Sequence, residues 1–250
     1  MDPASTLSVS QDRLLGGRVL LTQPVDGYRA AIDPVMLAAA VPAEAGDRVL
    51  DLGCGVGAAA LCLLARLPGL ALTGLEIQSA LAALARVNAG ANGWTEDLSV
   101  YEGSVLAPPE AVLAGGYDHV MTNPPYLPAG RGTPPPGGIK ATANVEAEAD
   151  LGQWLKMAIR VLRPKGRLSL IQRADRLDAV LAGLARRGVG DIRVLPLWPK
   201  VGRPATRVIV SARKGAKGPF ELLPGLVLHG DDGGYTEAAE DILRRGLALA

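Results

Sequence analysis

The architecture of this chain can be predicted outward from Arg48-Val49-Leu50-Asp51-Leu52-Gly53-Cys54-Gly55-Val56-Gly57. A short apolar run after a polar turn is typical of a strand that is buried on both faces of a parallel sheet. Glycines at alternate positions then allow a tight turn and a close approach of the backbone to a ligand. We therefore predict a strand over 48–52, a glycine turn over 53–57 and a helix over 58–66.

Strand and helix patterns alternate from this stretch to Gly188. Alternation of this kind predicts an α/β fold, a Rossmann-like sheet of seven mostly parallel strands with helices on both faces. The last strand is predicted to be antiparallel, because no helix separates it from the strand before it. The predicted strands are 48–52, 71–76, 98–101, 117–122, 167–172, 192–197 and 206–212, and the helices are 58–66, 79–88, 109–114, 145–162, 175–187 and 236–249.

The segments around this alternating core carry weaker signals. Residues 1–18 read as a loose lead-in, and 18–23 as a short strand. Asp33 is predicted to be the N-cap of a helix, with Pro34 at the first helical position. Glycines and prolines over 127–144 predict a mobile loop, and those over 163–166 predict a turn between helix and strand.

Charge is distributed unevenly along the chain. The net charge is +1, but residues 1–125 hold 6 basic and 13 acidic side chains, whereas residues 126–250 hold 20 and 12. The bias is strongest over 156–217, with 16 basic and 3 acidic residues. This asymmetry favours a polyanionic partner. A solvated arginine-rich face is the alternative, and charge alone leaves both open.

Other features of the composition exclude several classes of protein. Cys54 and Cys62 are the only cysteines, and they indicate neither a disulfide framework nor a zinc site, so no metal is expected. The N-terminus lacks the apolar core of a signal peptide, and no apolar run is long enough to span a membrane. We therefore expect a cytoplasmic protein without a membrane segment.

The glycine turn by itself does not identify a ligand. Gly53, Gly55 and Ala58 fit a dinucleotide fingerprint with alanine in the last place. Asp51 argues against that ligand, because a carboxylate repels a pyrophosphate and attracts a cationic group. Glu76 ends the next predicted strand, where its carboxylate can accept both hydroxyls of a ribose. A nucleoside with a positively charged tail fits these residues best.

A second motif, Asn123-Pro124-Pro125-Tyr126, follows the predicted strand 117–122. Each proline fixes its φ near −65° and lacks an N–H group, and the residue before a proline is pushed into an extended conformation. The result is a rigid hook that presents an amide, free carbonyls and an aromatic ring. Such a hook suits a flat amine. A proline-rich loop with a buried tyrosine is the alternative.

Together these motifs resemble the class I S-adenosylmethionine-dependent methyltransferases. The glycine turn, the acid Glu76 and the hook follow the first, second and fourth predicted strands of the sheet, in the order and at the spacing of that family. The resemblance implies S-adenosylmethionine as the cofactor, and its binding residues are expected to be Asp51, Gly53, Gly55, Gly57, Glu76, Ile77, Gly103, Ser104 and Asn123. The chain departs from the family at Ser104, where an acid usually faces the adenine amine.

The resemblance also implies the chemistry of the hook. Enzymes with this motif methylate a nitrogen conjugated to a π system, such as adenine N6, cytosine N4 or a glutamine amide. Asn123 and the carbonyl of Pro124 are expected to accept the two hydrogens of that nitrogen, and Tyr126 to stack on the base. Catalysis then depends on orientation and electrostatic complementarity. The target base has to be unpaired or flipped out.

Two further segments resemble the bacterial family that methylates N6 of adenine 37 in valine tRNA. Residues 26–37 resemble its N-terminal segment, in which a basic residue and an acid, here Arg29 and Asp33, cover the cofactor. Residues 200–208 resemble a basic turn of that family, and Lys200, Arg203 and Arg207 are expected to contact tRNA phosphates. We therefore predict one compact domain, with 1–47 covering the cofactor site and 48–250 forming the methyltransferase domain with a basic C-terminal part.

Other substrates remain as alternatives at this stage. A glutamine methyltransferase of the release-factor type normally has a helical N-terminal domain, and only about 47 residues precede the first strand here. A DNA amino-methyltransferase normally has a target-recognition domain, for which no stretch is left. A non-catalytic RNA-binding module would have a broken motif. We expect a tRNA methyltransferase that is a monomer or weak dimer.

Overall fold

The computed structural model of the protein describes residues 7–26, 29–125 and 151–249. An antiparallel hairpin of β1 (Val9–Leu14) and β2 (Val19–Pro24) precedes the helix α1 (Ile32–Ala39). Part of the predicted loose lead-in is therefore a strand. The N-cap prediction was also wrong, because Ala31 occupies the cap and Asp33 lies inside the first turn of α1. Asp33 is buried there and forms an ion pair.

The central part of the chain follows the predicted alternation closely. Its elements are β3 (Arg48–Leu52), α2 (Ala58–Arg66), β4 (Ala71–Glu76), α3 (Ser79–Ala91), β5 (Leu98–Glu102), α4 (Glu110–Leu113) and β6 (Tyr117–Thr122). The predicted mobile loop over 127–144 and the start of the predicted helix 145–162 lie outside the described residues.

The elements after that gap are α5 (Leu151–Val161), β7 (Leu162–Arg173), α6 (Leu177–Leu184), β8 (Val189–Trp198), β9 (Arg207–Lys214), β10 (Glu221–Leu222), β11 (Leu226–Val227) and α7 (Glu237–Leu243). The turn predicted over 163–166 is a bulge inside β7. Pairing with β6 jumps there from Leu162 to Arg167, and Lys165 has a φ of 69°. Helix α6 is shorter than predicted, because residues 174–176 form a 3-10 turn.

Among the described residues, one mixed sheet contains every strand except the two of the hairpin, in the order β5-β4-β3-β6-β7-β9-β8-β10, with β11 also pairing with β8. The fold class is confirmed: seven longer strands form the sheet, and β9 runs antiparallel between β7 and β8. The two-residue strands β10 and β11 are additions to the prediction. Because β8 is parallel to β3, β6 and β7, the carboxyl ends of all four lie at one edge of the sheet.

Two apolar layers cover the faces of this sheet. Helices α1, α2, α3 and α7 pack on one face, and α4, α5 and α6 on the other. The hairpin is attached to the first layer by Asn88 of α3, which is fully buried. Its Nδ2 donates to the carbonyls of Thr22 and Val56, at 2.9 and 3.0 Å, and its Oδ1 accepts from the N–H of Thr22 at 2.8 Å. The hairpin is therefore fixed next to the glycine turn.

Candidate active site

The glycine turn begins at the carboxyl end of β3, in the middle of the sheet. The N–H groups of Gly53 and Cys54 both donate to the carbonyl of Leu75, at 2.8 and 3.0 Å, which folds the turn back onto β4. Gly53 has a φ of +77°, and a Cβ atom there would lie 2.4 Å from the ring of Trp154. Only glycine fits this position. Gly57, with a φ of +85°, occupies the cap of α2.

Gly55 lies between them with a φ of +55°, and no described atom lies within 4 Å of where its Cβ would be. This part of the turn therefore leaves space for a ligand to approach the backbone.

Asp51 lies on β3 directly below this turn and is 2% exposed. Burial raises the pKa of its carboxyl to about 7; the Glu76 carboxylate adds to the increase and a backbone N–H of Ala60 opposes it. Its Oδ2 has no hydrogen-bond partner within the described part of the chain. A buried carboxylate oxygen without a partner is costly, and a cationic or hydrogen-bonding ligand would reduce that cost.

Glu76 ends β4, beside the glycine turn, and is 3% exposed. Its Oε2 accepts from the N–H of Gly55 at 2.9 Å, and its Oε1 accepts from the N–H of Gln78 at 2.8 Å. Burial raises its pKa, whereas the backbone N–H groups, including that of Ile77, lower it. A carboxylate has about four lone-pair sites, so the three backbone N–H groups leave at least one for a ligand. Two buried carboxyl groups thus lie at the ends of neighbouring strands.

The third strand end, at β5, is less polar. The N–H of Gly103 donates to the carbonyl of Glu76 at 2.9 Å, and a Cβ atom on Gly103 would lie 2.7 Å from the ring of Pro109. The Ser104 hydroxyl oxygen accepts from the N–H of Leu106 at 3.1 Å. Ser104 is partly buried and retains its hydroxyl proton for a ligand.

The hook follows β6, which lies next to β3. Thr122, the last residue of β6, donates through Oγ1 to the carbonyl of Leu52 at 2.7 Å and so aligns the two strand ends. Asn123 is partly buried, Pro124 is buried and Pro125 is exposed. Tyr126 lies outside the described residues. The structure therefore brings Asn123 and Pro124 to the strand end beside that of Asp51.

Two residues that the sequence analysis did not single out contact these motifs. Gln172, 2% exposed on β7, donates through Nε2 to the carbonyl of Pro124 at 3.5 Å, and its Oε1 accepts from the N–H of Arg173 at 2.9 Å. Its place as a polar residue at the end of a predicted buried strand was a usable signal. Trp154 of α5 covers Gly53, and no sequence signal indicated that contact.

A family model described as methyltransferase small domain matches residues 32–182. The chain belongs to this methyltransferase family.

Individual relatives of this methyltransferase are similar over most of its length. The tRNA1(Val) (adenine(37)-N6)-methyltransferase of Dickeya chrysanthemi is 28% identical over 223 residues, which cover 86% of each chain. The protein of the same name from Aeromonas hydrophila is 30% identical and covers 85% of this chain and 89% of its own. The solved structure of a predicted O-methyltransferase from Agrobacterium tumefaciens has a TM-score of 0.72 at 26% identity, over 87% of this chain and 98% of its own.

The N-terminal residues expected at the cofactor site of the methyltransferase lie in two places. Arg29 is bound to the hairpin: its Nη2 contacts Asp12 Oδ2 at 2.7 Å, and its Nη1 donates to Ser10 Oγ at 2.8 Å. Asp33 pairs instead with Arg207 at the start of β9, with Oδ2 3.0 Å from Nε. Asp33 was expected at the cofactor and Arg207 at the nucleic acid. In the structure these two residues form an ion pair with each other.

The basic turn of the methyltransferase lies between β8 and β9, at the same edge of the sheet as the hook. Lys200 and Arg203 are both exposed there. Arg207, by contrast, is only partly exposed. The turn thus offers two solvent-facing cations beside the candidate active site.

Other polar groups of the methyltransferase lie elsewhere. His119 Nε2 lies 3.2 Å from Asp47 Oδ2, near the amino end of β6, and burial lowers its pKa. Within the described ranges, no group of three or more His, Cys, Asp and Glu side chains could hold a metal ion. Nor does any described helix have the length and apolar character needed to cross a membrane.

Proposed function

We propose that this methyltransferase transfers a methyl group from S-adenosylmethionine to N6 of an adenine in tRNA, the adenine at position 37 of tRNA1(Val) named for its relatives. One observation supports this most directly. Asn123 and Pro124 end β6, directly beside the end of β3, where the buried Asp51 carboxylate has an unpartnered oxygen. The proposed binding site for the amine, at the hook, therefore lies next to the proposed binding site for the cationic nucleoside, at Asp51.

The residues present fit S-adenosylmethionine. Asp51 offers a buried carboxylate for the cationic methionine end, and the open space at Gly55 admits the ligand to the turn. Glu76 keeps acceptor capacity for a ribose hydroxyl, and Ile77, Gly103 and Ser104 are proposed to line the adenine. Arg29 and Asp33, within the covering segment 1–47, are proposed to act through the hairpin and α1, since both are held there by ion pairs.

The residues of the hook perform the chemistry by orientation. S-adenosylmethionine, when bound, would supply an electrophilic methyl group. The amine nitrogen would bond to that methyl as its bond to sulfur breaks, leaving S-adenosylhomocysteine, and the amine would release one proton to water. The Asn123 side-chain oxygen and the Pro124 carbonyl accept the two amine hydrogens, which draws the lone pair out of the ring π system. Tyr126 is proposed to stack on the adenine. Each interaction is strongest where charge develops on the nitrogen.

A nitrogen acceptor fits the hook better than an oxygen acceptor. The Agrobacterium structure is named a predicted O-methyltransferase. A hydroxyl has one hydrogen and needs a general base, whereas the hook offers two acceptors that match an NH₂ group. His119 lies four residues before Asn123 on the same chain segment, about 13 Å away along an extended strand, and cannot serve as that base. A glutamine amide also has an NH₂ group and is the second candidate.

The basic half of the chain favours RNA over protein. Lys200 and Arg203 are proposed to contact tRNA phosphates, and Arg207 to support them while holding Asp33. We further propose that the enzyme acts in the cytoplasm as a monomer or weak dimer.

The test uses labelled S-adenosylmethionine with total tRNA, and in parallel with total protein and total DNA. Digestion of the labelled tRNA should release N6-methyladenosine, and a tRNA1(Val) transcript should be labelled only when position 37 is adenine and not guanine. Asn123→Ala should retain most of the cofactor affinity, for which Asp51, Glu76 and the glycine turn are proposed to be the main contacts, and should lose about 100- to 1,000-fold in turnover. Label in a glutamine of a protein, or in no nucleoside, would refute the proposal.

A further inference from the structure

A stacked aromatic pair lies at the carboxyl end of β8, beside the basic turn. The rings of His229 and Tyr235 are 4.6 Å apart between centroids and inclined by 23°. Tyr235 stacks on His229 and is 37% exposed, so part of the residue is open to solvent. His229 Nδ1 has no hydrogen-bond partner among the described residues.

The loop that carries the pair is held by several backbone hydrogen bonds. The N–H of Leu228 donates to the carbonyl of Trp198 at 2.8 Å, and that of His229 to the carbonyl of Pro199 at 3.1 Å. At its other end Thr236 donates through N to Leu228 O and through Oγ1 to Val227 O, at 2.9 and 2.7 Å. These hydrogen bonds already order the loop. Stacking of a ligand on Tyr235 therefore costs little additional conformational entropy in the protein.

The topology of the sheet places this pair at the same edge as the hook. Strand β8 is antiparallel to β9, which is antiparallel to β7, so β8 ends where β6 and β7 end. The pair follows β11, which pairs with β8 on the side away from β9, so four strand spacings separate β6 from β11 in the order β6-β7-β9-β8-β11, a distance of about 19 Å. A strand of nucleic acid held at the hook would pass the aromatic pair a few nucleotides away.

The charges around the pair indicate where a phosphate backbone can lie. Lys200 and Arg203 are exposed in the adjacent turn, whereas Asp231 and Asp232 are exposed at the tip of the aromatic loop. Asp232 Oδ1 also accepts from the N–H of Gly234 at 2.9 Å, which helps to turn the loop. Phosphates are therefore expected over the turn, and an uncharged base over the ring of Tyr235.

We propose that Tyr235, supported by His229, is a stacking platform for an unpaired nucleotide of the RNA substrate that flanks the methylated adenine. This inference rests on the proposed function. A target adenine has to leave its stack to reach the hook, and bases of an open loop bind most readily on aromatic rings. The ring of Tyr235 would bind a base next to the target adenine, and the basic turn would bind the phosphate backbone of the same RNA. The enzyme would therefore bind an RNA loop more tightly than a duplex.

The experiment uses the full-length enzyme and a stem–loop RNA that contains the target adenine. Tyr235→Ala should weaken RNA binding about 5- to 100-fold, the range found when a base-stacking aromatic is removed, whereas Tyr235→Phe should bind like the wild type. Tyr235→Leu retains an apolar contact with His229 but has no π face, and should also bind weakly. Phe220→Ala is the matched control, because Phe220 is 53% exposed and precedes β10, which pairs with Arg193 and Val194, away from the hook.

Abasic substitutions in the RNA loop then locate the partner. At one loop position, removal of the base should weaken RNA binding by the wild type by the same factor as Tyr235→Ala does. The same abasic RNA should bind the Tyr235→Ala variant no more weakly than the intact RNA does. Wild-type binding by Tyr235→Ala and Tyr235→Leu, or additive effects at every abasic position, would overturn the platform while leaving RNA methylation intact. If the wild type methylates protein and not RNA, the proposed function fails and the platform fails with it.

Discussion

Asp51 is a buried carboxylate whose ionisation lowers the stability of the fold. Its carboxyl has a folded-state pKa of about 7, against 3.8 for an ordinary aspartate. Between these values the folded protein binds more protons than the unfolded chain, so this group's contribution to stability falls as pH rises from about 4 to 7. Above pH 7 the cost of the ionised form is complete, at most about 4 kcal/mol.

Asp51→Asn should therefore raise the melting temperature of the cofactor-free enzyme. The gain should be near zero at pH 4 and largest at pH 7 and above, because the asparagine amide is never charged. Thermal melts of both proteins from pH 4 to pH 8 measure it. A variant that is equally or less stable at pH 8 would show that the buried carboxylate is not a net cost.

The same residue predicts how cofactor affinity depends on pH. A cationic ligand prefers the ionised carboxylate, so the affinity for S-adenosylmethionine should fall as pH drops below about 7, by up to tenfold per pH unit. Calorimetric titration at pH 8 and pH 6 measures this change. Asp51→Asn should bind more weakly at pH 8 and lose most of the pH dependence. An unchanged affinity in the variant would exclude Asp51 from the cofactor site.

Gln172 is expected to act as a positioning residue for the Pro124 carbonyl. Its amide cannot rotate freely, because Oε1 is held by the N–H of Arg173 and this directs Nε2 to Pro124. Gln172→Leu should lower kcat about 10- to 100-fold and leave the KM for tRNA and the cofactor affinity nearly unchanged. Ser169→Ala, a buried polar change earlier on β7, is the control and should retain activity. A Gln172→Leu enzyme with normal kcat would contradict the assignment.

At the level of secondary structure, the ion pair between Asp33 and Arg207 connects α1 with the start of β9. Asp33 is nearly buried, whereas Arg207 keeps 30% of its side chain exposed, which reduces the energy of the pair. In a double-mutant cycle with Asp33→Asn and Arg207→Gln, we expect a coupling of about 1–3 kcal/mol in the free energy of unfolding. Denaturant titration of the four proteins measures it. Strictly additive effects would show that the contact does not stabilise the fold.

The elements differ in how far sequence alone predicts them, and the reason lies in the range of the interactions. Strand β6 was predicted to the residue, because a local apolar pattern and the prolines after it define both ends. Strand β1 was missed because residues 9–14 have no continuous apolar pattern, and they form a strand by pairing with β2. Asp33 looked like a cap locally, but its partner Arg207 is 174 positions away.

In the candidate site, too, local sequence predicts some residues, whereas other contacts depend on tertiary packing. Asp51, Gly53 and Glu76 were predictable because strand ends and glycines specify their positions within a few residues of chain. The contacts of Trp154 with Gly53 and of Gln172 with Pro124 depend on how α5 and β7 pack against β3 and β6. A local pattern can mark Gln172 as a polar residue at a strand end, but it does not identify the partner of either side chain.

At the scale of the whole molecule, the turn between β8 and β9 places basic residues of the C-terminal half at the same edge of the sheet as the hook. If Lys200 and Arg203 each neutralise a phosphate, removing both should reduce the salt dependence of tRNA binding by about 1.5–2 in the slope of log K against log salt. Lys200→Glu combined with Arg203→Glu is the clean test, because neither side chain takes part in a described ion pair, whereas Arg207 holds Asp33.

The matched control for this test is Lys217→Glu, which changes the net charge by the same amount per residue. Lys217 is exposed after β9, whose carboxyl end lies at the opposite edge of the sheet, because β9 is antiparallel to β7. Lys217→Glu should lower tRNA affinity only slightly and leave the slope unchanged. If each charge reversal weakens binding by the same factor in the control and in the double variant at every salt concentration, the attraction comes from net charge and the turn is not a phosphate site. A change of slope in the double variant alone would place the tRNA backbone on the turn, beside the hook.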